Sequence, residues 1–177
     1  MNEGKDLLRL KEKMDDEYLY LVSSILENDE FKKRLEYHHH ENRSVYTHCL
    51  MVSLKSYKIA KKLHMDYRSA AIGGLLHDFY FEDWQSNKRK VKFFQMHGFV
   101  HAREALKNSR EKFPNLIDDK VGDIIVKHMF PLNILPPKYV EGWIVTFVDK
   151  YVSMEIFKTP KQLYKYVGLG LIFKFFK

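Results

Sequence analysis

The chain has 177 residues, 45% of them hydrophobic and 30% charged, with eight glycines, five prolines and one cysteine. That length suits one domain with its own core, the scarcity of glycine and proline disfavours a turn-rich β-sandwich or barrel, and a lone Cys49 excludes an internal disulfide framework or a cysteine-rich zinc module. Thirty basic against 23 acidic side chains give a formal net charge of +7, which favours anionic partners such as phosphates or nucleic acid without choosing between them. Residues 16–36 read as one or two helices, with Tyr18, Leu21, Val22, Ile25 and Leu26 at helical spacing and a break at Asn28 and Asp29. The polar run YHHHEN over 37–42 reads as a loop. A long helix is predicted from Ser44, a plausible N-cap, to about Leu63, with Val45, Cys49, Val52, Leu54, Ile59, Ala60 and Leu63 as its apolar stripe.

Asp66 can cap the next helix, from Tyr67 to about His77. Residues 79–96 read as a loop with a short helix. Helices are predicted over 97–113, ending before Pro114, and from Asp118 and Asp119 up to Pro131. Another follows Pro136 and Pro137, from Lys138 to about Phe157, and a last one opens at Thr159 and Pro160. No stretch alternates like a strand, so the class is all-α with about seven helices. No run reaches the roughly 18 apolar residues of a membrane span. The charged N-terminal stretch lacks a signal-peptide core, and a reducing cytosol is the expected compartment.

Nine histidines are present, and their placement says more than their number. His77 and Asp78 are adjacent at the end of an apolar helix. His48 lies inside an earlier helix and Asp149 inside a later one, with His97, His101 and His128 between. Histidine and carboxylate are the usual ligands of zinc, iron and manganese, and ligands from several helices can meet in a bundle core. Asp149, in VTFVDKYVSM, is the most informative position. An acid on an apolar stretch is costly to bury unless paired or metal-bound; the other reading puts it on the solvent side beside Lys150.

The order His48, His77-Asp78, Asp149, set in YTHCLMVSLKSYKIAKKL, AAIGGLLHDF and IVTFVDKYVS, resembles the signature of the HD-domain metal-dependent phosphohydrolase superfamily. The likeness covers about residues 43–157, within one HD-like domain of residues 1–177 that adds N-terminal helices and a C-terminal helix. It implies a helical bundle with a divalent metal held by His48, His77, Asp78 and Asp149. It also implies a second ion in some subfamilies, for which His97 and His128 match. The metal could be iron, manganese, zinc, cobalt or nickel. His101, four residues after His97, is an alternative ligand or a substrate contact.

The chain departs from the family in lacking a lysine three residues after the HD pair, where Phe81 stands. Glu82 and Asp83 follow and are candidates for a general acid or base beside Asp78. Arg43, Lys88 and Arg89 are the candidate phosphate-binding groups. The implied activity is metal-assisted hydrolysis of a phosphate ester or anhydride in a small phosphorylated substrate, with a nucleotide favoured. Two other classes remain open: a di-iron oxygenase of the same fold, and a non-catalytic module in which the metal only staples helices. Neither membrane attachment nor nucleic-acid binding is expected, and a homo-oligomer is left open.

Overall fold

A computed structural model describes residues 3–36, 38–39, 43–80 and 97–156. The described chain contains α1 (Glu3–Lys11), α2 (Asp16–Leu26), α3 (Asp29–Lys32), α4 (Val45–Lys62), α5 (Tyr67–Leu76), α6 (His97–Lys112), α7 (Asp119–Lys127) and α8 (Val140–Ile156), with 3-10 turns at Lys33–Leu35 and Pro114–Leu116. The class is all-α, as expected. The one strand pairing among the described residues joins β1 (His38–His39), inside the stretch read as a loop, to β2 (Arg43–Ser44) just after it, antiparallel and two residues long. The helix expected after Thr159 and residues 81–96 of the stretch expected to be a loop with a short helix lie outside the described residues.

The helix starts follow local chemistry. The side chains of Asp15, Asn28, Ser44, Asp66 and Asp118 each accept a hydrogen bond from the backbone N–H three residues on, satisfying donors that a helix leaves unpaired at its first turn. The break predicted at Asn28 is therefore the cap of α3. Helix α1 has no counterpart among the predicted elements. It contains no fully buried residue; Leu7 and Leu10 pack partly buried against the core, and polar contacts at its start hold it as well. Glu3 Oε1 accepts from Ser44 N at 2.9 Å and from Thr47 Oγ1 at 2.8 Å, which adds a second acceptor to the start of α4.

Helix α5 packs on α4, α7 and α8, and its glycine pair explains how. A Cβ on Gly73 would stand 2.6 Å from Ile124 Cγ2 of α7, and one on Gly74 would stand 3.0 Å from Ser53 Cα of α4. The Ile124 side chain on one side and the α4 backbone on the other leave no room for a methyl group. On the α2 side, Tyr18 Oη donates to Ser53 Oγ at 2.8 Å, and Ser53 Oγ donates to Ala71 O at 2.7 Å. Three helices are thus joined by one buried relay. Among the described residues no helix is long and apolar enough to cross a membrane.

Gly73→Ala should destabilise the protein by about 1–3 kcal/mol, the usual cost of overpacking a tight core. The β-branched Ile124 cannot swing its Cγ2 away cheaply. Urea unfolding should show a lower midpoint with an unchanged slope; an unaltered midpoint would mean that α5 and α7 part easily.

Candidate metal centre

Five elements deliver side chains to one place. His48 ends the first turn of α4, whose start is held by Ser44 and Glu3. His77 caps the C-terminus of α5, and Asp78 follows it. His101 lies in the second turn of α6, His128 caps the C-terminus of α7, and Asp149 lies mid-way along α8. The two cap histidines are held alike. His77 Nδ1 donates to Gly74 O at 2.9 Å and His128 Nδ1 donates to Ile125 O at 2.7 Å. Each bond satisfies a carbonyl at a helix end and fixes the ring so that Nε2 points into the site.

Two groups of atoms result. His48 Nε2 stands 3.1 Å from Asp149 Oδ1, and His77 Nε2 stands 3.6 Å from that oxygen and 3.4 Å from Asp78 Oδ2. On the other side, Asp78 Oδ1 faces His101 Nε2 at 3.4 Å and His128 Nε2 at 3.7 Å, and the two imidazole nitrogens are 3.4 Å apart. Asp78 therefore offers one oxygen to each group. His48, His77 and Asp149 could hold one ion, and His77, Asp78 and His128 also lie close enough together to hold one.

The HD-domain family model matches residues 45–154, more than half of the chain. The chain belongs to the HD-domain family. No curated protein and no solved structure matches it. The HD domain places it in a superfamily of metal-dependent hydrolases and implies a divalent metal.

The residues present fit such an ion. His77 Nε2 is buried and makes no hydrogen bond among the described residues, although two carboxylates stand within 4 Å. A nitrogen left in that position suits a cation shared with those oxygens. The donor set of imidazole and carboxylate suits first-row divalent ions. Electrostatics fit as well. Burial alone would lower the His77 pKa, but Asp78 and Asp149 outweigh it and hold the imidazole at about 9. Burial would raise the Asp149 carboxyl; His48 and His77 outweigh it and hold the group well below its ordinary value. Burial, and then the neighbouring His77, push His128 down to about 3, so its ring is neutral and its Nε2 can serve as a ligand.

The HD domain thus brings together His48, His77, Asp78, His128 and Asp149 from the sequence reading. It turns Asp149 inward and leaves it only 9% exposed. His101 stands with Asp78 and His128. His97 opens α6, but its side chain lies outside the described residues, as do the Arg43 side chain and all of Glu82, Asp83, Lys88 and Arg89. Three groups beside the site escaped the sequence reading. Lys150 is half-buried and donates to His128 O at 3.3 Å. Its position after an acid on an apolar helix was visible, but its direction was not. Arg34 and Asn108 bond the chain just after Asp78, and nothing in their local sequence marks them.

Metal binding should release protons. With no ion bound, His77 carries a proton at neutral pH, and an ion taking Nε2 must displace it. Affinity for manganese should therefore rise with pH up to about 9 and then level. Calorimetry in buffers of different ionisation enthalpy should show about one proton released per first ion near pH 7. The raised pKa also has a stability consequence for the metal-free protein. The imidazolium contribution is fully present below the unfolded value of roughly 6.5. It is lost as pH rises through about 9. Metal affinity that is flat between pH 6 and 9 would contradict this assignment.

Proposed function

We propose that this HD domain is a metal-dependent phosphohydrolase that cleaves the ester or anhydride bond of a small phosphorylated metabolite, with nucleotides the first class to test. We propose further that residues 1–177 act as one domain in a reducing, cytosolic setting. The observation that carries the catalytic reading is Asp78, a carboxylate set between two groups of histidines with an oxygen toward each. On this reading His48, His77, Asp78 and Asp149 hold the first ion. Asp78 and His128 hold a second, with His101 or His97 as its further ligand.

A divalent ion bound there would supply Lewis acidity, lowering the pKa of a water molecule and neutralising charge on a phosphoryl oxygen. The chain's own residues do the rest. The Nδ1 bonds of His77 and His128 keep their Nε2 atoms aimed inward. The buried walls, with His48, His77 and His128 at 0–1% exposure, keep bulk water out and strengthen every charge interaction inside. Lys150 supplies positive charge: its ammonium has no carboxylate within ion-pair distance among the described residues, so it remains available for an anion. Burial pushes its pKa down, which favours an anionic partner in the site. Arg43 precedes α4 by two residues and is proposed to bind phosphate beside His48, with Lys88 and Arg89 supporting it. Glu82 and Asp83 are the proposed proton donors or acceptors.

Asp78→Ala removes a ligand of both ions, so metal content and phosphate release should collapse together, turnover by at least roughly 10²–10³-fold. The helical circular dichroism should persist. Lys150→Met should keep its metal and lose about 10–100-fold in kcat/KM, the range for one charge-assisted hydrogen bond. Full turnover by a metal-free Asp78→Ala protein would end the metallohydrolase reading. Oxygen consumption by iron-loaded protein, with no phosphate released from any nucleotide, would favour the di-iron oxygenase instead. Loss of stability on chelation without turnover would favour a metal staple.

A further inference from the structure

The family match begins at residue 45, yet a buried arginine well ahead of it reaches the metal centre's backbone. Arg34, in the 3-10 turn Lys33–Leu35, is 1% exposed. Its guanidinium donates to Glu30 O and to Tyr80 O and lies 4.5 Å from the centre of the Phe79 ring. Asn108 of α6, also buried, donates from Nδ2 to Phe79 O at 3.0 Å. Phe79 and Tyr80 directly follow His77 and Asp78.

The chain leaves α5 at this point, so its backbone can no longer bond as a helix. Phe79 N donates to Leu76 O at 3.1 Å and Tyr80 N donates to Asp78 O at 3.0 Å. The two carbonyls that follow Asp78 are taken by side chains from two other elements. Arginine suits the first of these tasks because its rigid fork of donors can bond two carbonyls while its flat face covers a ring. A lysine ammonium is a compact point charge without that planar, forked geometry. Burying a guanidinium is costly unless its donors are satisfied; here one bonds Glu30 O in its own turn and another bonds Tyr80 O, two residues past Asp78.

We propose that Arg34 and Asn108 are positioning residues for the metal centre: they grip the two residues after Asp78 and thereby fix where its carboxylate divides between the two histidine groups. This rests on the metal-centre reading above. Partners of metal ligands, when lost, typically cost about 10–100-fold in metal affinity.

The test uses the full chain loaded with cobalt(II), read by its visible ligand-field spectrum, together with manganese affinity by titration. Arg34→Met should weaken manganese binding about 10–100-fold and shift the cobalt spectrum. Arg34→Lys should fall between it and wild type, and Asn108→Leu should produce a smaller change of the same kind. A purely structural arginine would lower the unfolding temperature and leave the spectrum of the folded protein alone; that result overturns the proposal. If Arg34→Met does not fold, Arg34→Lys and Asn108→Leu decide, and wild-type affinity and spectrum in both also overturn it. Wild-type protein that takes up no ion refutes the metal-centre reading itself, whereas a wild type that binds normally beside unchanged variants refutes only the clamp.

Discussion

Two carboxylates buried among helices are the constraint on which this structure turns. Asp78 is 6% exposed and Asp149 is 9% exposed. Removing such a charge from water carries a penalty of several kcal/mol, offset only by close partners of good geometry. Here the partners are imidazoles. His48 and His77 face Asp149, His77 also faces Asp78, and His101 and His128 face the other side of Asp78. The helices that carry these rings must therefore end or cross at one point, and the packing of α4, α5, α7 and α8 serves that convergence.

Helix ends provide much of the precision. His77 and His128 each occupy the C-cap of a helix, where a carbonyl three residues back lacks a helical partner. One hydrogen bond from Nδ1 closes that carbonyl and sets the tautomer together. The site and the helix terminus are stabilised by the same bond, so neither can shift without the other. The glycine pair just upstream has a matching purpose. It lets α5 lie against the backbone of α4 and against Ile124 of α7, and this close approach brings His77 within reach of both His48 and His128.

The segment ahead of the family match belongs to this construction. Glu3 completes the cap of α4 one turn before His48. Tyr18 ties α2 to Ser53 and so to α5. Arg34 bonds the backbone after Asp78. Each contact acts on an element that bears a site histidine or carboxylate, so α1, α2 and the turn after α3 brace the site from behind.

Much of this was legible in the sequence because it is local. Helical spacing and side-chain caps marked α4, α5, α7 and the break at Asn28, since a cap and its three-residue bond involve only near neighbours. The order of His48, His77-Asp78 and Asp149 in their helical settings pointed to the HD-domain family and to a metal. Other features were not legible. Spacing alone put His97 and His101 on one face of α6, four residues apart, and gave neither a distance to Asp78; the seating of α6 against α7 brings His101 to 3.4 Å. Asp149 could have turned to solvent with Lys150, and the burial of α8 against α4 and α5 turned it inward. Nothing in the local sequence marked Arg34. The sequence by itself determined which helices form and which residue types could bind a metal, because those depend on contacts within a turn or two. Only the tertiary structure decided which of them meet, because that depends on how far each helix rotates and approaches its neighbour, and those neighbours lie up to 101 residues away along the chain.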